Sequence, residues 1–275
     1  MRTWMRRNPV LAFYLVTFAV SWLIWIPATP FLQDPAHISP GLVLLAYASI
    51  YTPTLTAIFL TGLESGTAGI RTLFRRFLIW RVGLQWYLFA LFGSTAIGLG
   101  AMALYDAGGG VLPPFSPNFL AVVFLLVAGP LSEEMGWRGY AFPRLQARYG
   151  AMPASILVGT LWAVWHLPGF IWPSVLYNVP IPFTWFLLLV IAWSILFTWL
   201  YNNTNGSLLL AFLFHLGIDA TMAILPLSGR DLALLYLVVT WGVVLVVVMW
   251  GRRSFPSRHQ FPFSQARQRR IRLPE

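Results

Sequence analysis

Six ionisable side chains lie inside otherwise apolar stretches of this 275-residue sequence: Glu133, Glu134 and Arg138 in one, His166 in a second, His215 and Asp219 in a third. A carboxylate that takes a proton from water turns that water into a nucleophile, while imidazoles can hold it or donate to an oxyanion. Glu133, His166, His215 and Asp219 are also a plausible ligand set for a divalent metal such as zinc. No HExxH pair stands on one helix, so a metal-independent site with no cofactor is the first reading and a metal-bound one the second. Glu134 and Arg138, at i and i+4, share a helix face and can form an ion pair. Glu133 points ~100° away and has no partner in its own helix, which leaves it to face other segments. His215 and Asp219 repeat the i, i+4 spacing, with small Gly217 and Ala220 nearby to admit another helix. Trp162 and His166 share it too, so an indole lies one turn from the second imidazole. Ser132 adjoins Glu133, but sequence adjacency does not make a triad, and it reads as a packing residue.

The elements that must position these groups are membrane helices. Hydrophobic residues make up 58% of the chain and charged ones 9%, against roughly 25% in ordinary globular proteins. A span needs about 20 apolar residues, which predicts an all-α polytopic membrane protein of about eight transmembrane helices. Their extents are 9–27, 41–62, 84–105, 118–137, 152–172, 182–201, 206–225 and 231–250. All 18 basic residues are arginine, and the net charge is +10. They cluster between spans rather than in a nucleic-acid-binding patch: Arg2, Arg6 and Arg7; Arg71, Arg75, Arg76 and Arg81; Arg144 and Arg148; and the tail. With eight spans these fall on one side, which the positive-inside rule makes cytoplasmic, together with both termini. The first span is too long for a signal-peptide core and no A-x-A site follows, so it reads as a retained anchor. Residues 1–250 form one transmembrane domain; 251–275 is a basic, Pro- and Gln-rich tail that reads as disordered and suits anionic lipid. No cysteine is present, which excludes disulfides and thiolate chemistry.

Carrying charge into these spans is expensive. Insertion scales put a mid-membrane carboxylate or arginine at about 2.5–3.5 kcal/mol, while polar contacts between helices return only about 0.6–2 kcal/mol. Interhelical glue therefore accounts poorly for six such residues on three spans, and the expected site lies between the fourth, fifth and seventh. Counting about 1.5 Å per residue through a core of about 30 Å places Glu133 ~8 Å, His215 ~13 Å and His166 ~21 Å from the cytoplasmic side. The mismatch closes if the fifth span starts deeper, after a bend and short helix over 141–150, or is strongly tilted.

Three ordered motifs carry a resemblance: EEMGWR at 133–138, WAVWH at 162–166 and HLGID at 215–219. Together they resemble the EExxxR, aromatic-xxxH and HxxxN/D motifs of the type II CAAX prenyl endopeptidases and the related bacterial CPBP (CAAX protease and bacteriocin-processing, or Abi) family. The likeness covers about 118–222. It implies proteolysis within the membrane, of membrane-associated or lipidated substrates near the cytoplasmic side. By matching position, Glu133 would activate water, His166 would help place it, and His215 and Asp219 would stabilise the oxyanion. Glu134, Arg138 and Trp162 would support them. An ionised Asp219 cannot donate to an oxyanion, so it is either protonated or orients His215. Other readings are a catalytically silent immunity or partner-binding membrane protein and a proton-coupled transporter. The absence of internal repeats speaks against the transporter. Abundant Trp and Arg-only basic usage suit a GC-rich bacterium, and hence a bacterial cytoplasmic (inner) membrane, with lipid and a peptide substrate as partners.

Overall fold

A computed structural model describes residues 2–33, 39–115, 129–173, 181–227, 229–251 and 254–255. Apolar composition leaves backbone groups no water to bond with in a bilayer, and an α-helix satisfies them within the segment. Helix is accordingly the only regular structure among the described residues: α1 (Arg2–Arg7), α2 (Pro9–Leu32), α3 (Pro40–Ile50), α4 (Thr52–Arg75), α5 (Leu84–Ala107), α6 (Phe142–Tyr149), α7 (Ala151–Trp165), α8 (Leu167–Ile171), α9 (Phe183–Asn203), α10 (Leu208–Ile224) and α11 (Arg230–Trp250). Several starts are written locally. Ser39 and Ser207 cap α3 and α10 by accepting from the amides of Leu42 and Leu210, both at 3.2 Å, and proline opens α2 and α3.

The protein is a multi-pass integral membrane protein. Among the described residues α2, α5, α9 and α11 are long and apolar enough to cross a bilayer, and α3 with Thr52–Leu78 forms an apolar pair bent by 52°, as in a broken span or a re-entrant loop. Four expected spans thus match single long helices, the first, third, sixth and eighth, while the seventh matches α10, a shorter apolar helix of 17 residues. Three need revision. The second, 41–62, breaks at Tyr51, where Pro53 in the first turn of α4 provides no amide donor, and α4 is kinked again at Gly66 (φ 62°) before it reaches Arg75. The fourth, 118–137, lies outside the described residues up to 128. From 129 it is helical and does not end at Trp137 but widens into a π-helical turn, Met135–Ala141, before α6. The fifth, 152–172, breaks at His166 into α7 and α8. All but Ser254 and Phe255 of the tail beyond Gly251 lies outside the described residues.

In the core α7 packs against α9 and α10 against α5. Gly217 permits the second contact: a Cβ there would lie 2.5 Å from the carbonyl oxygen of Ala90, so only glycine allows α10 and α5 this close. Short polar contacts tie the helices across apolar surroundings, as in Ser155 to Thr198 at 2.6 Å and Thr95 to Thr221 at 2.9 Å. At the other end of the π-helical turn, Arg144 pairs with Glu64 of α4 at 2.6 Å, and Glu64 also accepts from the Tyr140 hydroxyl.

Candidate active site

The site forms where the helix carrying Glu133 meets the end of α7 and the middle of α10. At about 1.5 Å per residue α7 is roughly 22 Å long and α10 roughly 26 Å, less than a core of about 30 Å. The depth mismatch closes here. Trp162, one turn before His166, reaches Glu133 directly, its Nε1 donating to Oε2 at 2.5 Å.

Trp162 is the hub of the arrangement. Its ring lies 5.3 Å from that of His215 and 6.3 Å from that of His166, and the Arg138 guanidinium sits 4.5 Å above it. All seven sequence-selected residues join this network. Glu134 Oε1 accepts from Arg138 Nη1 at 2.9 Å and from His215 Nδ1 at 2.7 Å, and Asp219 Oδ1 lies 3.8 Å from His215 Nε2. Arg138 also stacks on Phe197 at 3.7 Å, so the buried cation is neutralised by one carboxylate and cradled by two aromatic faces.

Two expectations change. Glu133 does have a partner in its own helix: Trp137, four residues on, donates its indole N–H to Oε2 at 2.8 Å. His215 bonds Glu134, not Glu133, so Glu134 serves both Arg138 and an imidazole rather than Arg138 alone. Burial separates the adjacent glutamates in the same sense. Both are buried, Glu134 at 0% exposed and Glu133 at 6%, so among the described residues the glutamate with neutral donors is the slightly more exposed of the two.

His166 caps a helix break. A broken helix leaves carbonyls that must find donors inside a membrane. The carbonyl of Trp162 is approached by His166 Nδ1 at 2.9 Å, and that of Trp165 accepts from Trp22 Nε1 of α2 at 3.0 Å. A carbonyl only accepts, so His166 carries its proton on Nδ1 and directs the lone pair of Nε2 elsewhere. His215 likewise donates from Nδ1 to a carboxylate, leaving Nε2 facing Asp219 and Gly129. A Cβ on Gly129 would come within 2.6 Å of Asp219 Oδ2 and 3.9 Å of His215 Nε2, so glycine keeps this side open. Ser132 Oγ donates to its own helix, to Gly129 O at 2.7 Å, in keeping with a packing role.

Trp137 and Gly129 escaped selection, although both lie four residues from Glu133 and so one turn away on its face. Phe13 and Tyr14 of α2, which enclose Trp137, carry no signal of their own in an apolar span. As for a metal, no three His, Asp or Glu side chains among the described residues gather at ligating distance. Glu133 instead turns an oxygen to two N–H donors, and a donor pair on that oxygen is the opposite of what a cation needs. A cation would therefore have to meet Glu133 through Oε1.

Residues 114–221, which contain every one of these groups except those of α2, α4 and α5, match the family model described as type II CAAX prenyl endopeptidase Rce1-like. Those residues are similar to a Rce1-like CAAX endopeptidase domain. Over 265 residues, covering 90% of this chain and 96% of the relative, it is also 27% identical to CAAX prenyl protease 2 of Methanococcus maripaludis. The similarity to that CAAX prenyl protease therefore extends through the flanking helices, beyond the motif-bearing segment, and supports peptidase activity within the membrane.

Proposed function

We propose that this chain is an intramembrane endopeptidase of the CAAX type, in which Glu133 activates a water molecule without a metal. The observation that carries the reading is the division of labour between the two glutamates. Both are buried, but Glu134 is committed to Arg138 and His215, whereas among the described residues Glu133 is held by two neutral indole donors on one oxygen. In this scheme the Glu133 carboxylate accepts a proton as the water oxygen bonds to the scissile carbonyl carbon. His166 Nε2 accepts from the same water and fixes its direction. His215, braced at Nδ1 by Glu134, presents Nε2–H to the developing oxyanion while Asp219 balances its charge; donors of this kind act where negative charge appears. The C–N bond then breaks, and the proton on Glu133 passes to the leaving amine. Substrates would be membrane-associated or lipidated polypeptides, cut near the cytoplasmic side; a prenylated CAAX terminus is the first to test.

Purified protein in lipid nanodiscs, given an internally quenched peptide ending in a farnesylated CAAX sequence, tests the scheme. Glu133→Gln should abolish cleavage, and 1,10-phenanthroline with EDTA should leave the wild type unaffected. Undiminished turnover by Glu133→Gln would sink the assignment of the base, and inhibition reversed by added zinc would sink its metal independence.

A further inference from the structure

Both hydrogen bonds that Glu133 receives among the described residues land on the same oxygen, Oε2, from Trp137 Nε1 at 2.8 Å and Trp162 Nε1 at 2.5 Å. An indole N–H is a donor and never an acceptor. An oxygen facing two such donors gives a lone pair to each, so a proton taken up by the carboxylate belongs on the other oxygen, Oε1. We propose that Trp137 is a positioning residue of the reaction: with Trp162 it pins Oε2 of Glu133 and assigns proton transfer to Oε1. The proposal rests on Glu133 being the base, as above.

The geometry gives the clamp its stiffness. The terminal torsion of a glutamate is broad and roughly two-fold, so an unrestrained carboxylate exchanges its oxygens readily. Here the donors come from two elements, one from the π-helical turn of the same segment and one from α7, which triangulates the group. The Trp137 ring is itself fixed. It is 0% exposed, stacked on Tyr14 at 5.8 Å and 20°, and met edge-on by Phe13 at 5.5 Å and by Trp165 at 5.9 Å. The indole N–H therefore keeps one direction, set by α2 and by α7. In the proposed reaction Oε1 takes the water proton and hands it to the leaving nitrogen, and the carboxylate does not turn over between the two steps.

Two measurements test this on the full-length protein in nanodiscs. With 15N-tryptophan labelling, the indole resonances lost in Trp137→Phe and in Trp162→Phe identify the two clamp residues. Both should shift upfield in Glu133→Ala, where the shared acceptor is gone while the ring cage is intact. In cleavage of the farnesylated peptide, Trp137→Phe keeps the stacked ring and removes the N–H. Its kcat should fall about 10- to 100-fold, the scale of one hydrogen bond to a charged group, with KM within about twofold. The proposal is overturned by a Trp137 resonance that does not move in Glu133→Ala, by an unchanged kcat, or by a loss confined to KM. An active Glu133→Gln removes the base itself, whereas an inactive Glu133→Gln beside a fully active Trp137→Phe removes only the role of Trp137.

Discussion

Glu134 and Arg138 allow a prediction in which stability and activity part company. Both are buried, Glu134 fully and Arg138 to 2%, and they meet at 2.9 Å. Removing one partner of such a pair leaves a bare charge in an apolar interior, at a cost of about 3–5 kcal/mol. Glu134→Leu and Arg138→Met should each lower the unfolding free energy by that amount. The double variant leaves no bare charge, and replacing a whole buried pair by apolar groups is often close to neutral. What it still loses is the stacking of Arg138 on Phe197 and Trp162, at about 0.5–2 kcal/mol for each ring, and the acceptor of the buried His215 Nδ1–H, at about 1–3 kcal/mol. The double variant should therefore be about 2–7 kcal/mol less stable than wild type, where additivity of the singles predicts about 6–10 kcal/mol. Activity should not return with stability. Without Glu134, His215 Nδ1 has lost its acceptor at 2.7 Å, and a hydrogen bond to a charged group at about 1.5–3 kcal/mol corresponds to roughly 10- to 150-fold in kcat. Graded SDS unfolding in mixed micelles, followed by tryptophan fluorescence, gives the stabilities, and cleavage of the farnesylated peptide gives kcat. Additive single effects would refute the buried-pair reasoning, and a double variant with wild-type kcat would refute the bracing of His215.

Gly129→Ala should separate the same quantities in the opposite direction: alanine favours helix by about 1 kcal/mol over glycine, yet its Cβ would stand 2.6 Å from Asp219 Oδ2. The expected result is an unchanged or raised melting temperature by circular dichroism with reduced cleavage of the peptide; wild-type kcat would show that Asp219 need not hold its place. Glu64→Gln removes a pair whose side chains are 31% and 20% exposed, so it should cost less than about 1 kcal/mol, become milder at high salt, and leave kcat within about twofold of wild type, all read from the same two assays.

The site was more legible in the sequence than the backbone that builds it. Charge in a membrane span is costly enough that Glu133, Arg138, His215 and Asp219 announced themselves, and the i, i+4 rule correctly joined Glu134 to Arg138. Trp137, a neutral donor at the same spacing from Glu133, carries no such mark in an apolar stretch. The link from Glu134 to His215 joins positions 81 apart, and no local pattern encodes it. Hydropathy found the apolar runs but not their breaks. Residues 152–172 are continuously apolar, and the interruption at His166 is marked only by Pro168 two residues later, which a window of about 20 residues averages away. The π-helical turn at Met135–Ala141 has no compositional mark at all. It is set by contacts such as the seating of Gly136 against the backbone of Pro53, where a Cβ would lie 2.7 Å away.

The break at His166 has a consequence for proton conduction. A histidine that relays protons across a membrane must take one up at one ring nitrogen and release one from the other, alternating between its tautomers. Nδ1 of His166 is committed to the carbonyl of Trp162, whose demand for a donor arises from the broken helix and persists whatever the reaction is doing. Any proton that reaches Nε2 must leave by Nε2. The two indoles beside Glu133, which donate and never accept, extend no wire in its place. The same backbone irregularity thus makes this position a dead end for protons, so the proposed water chemistry would open no leak through it.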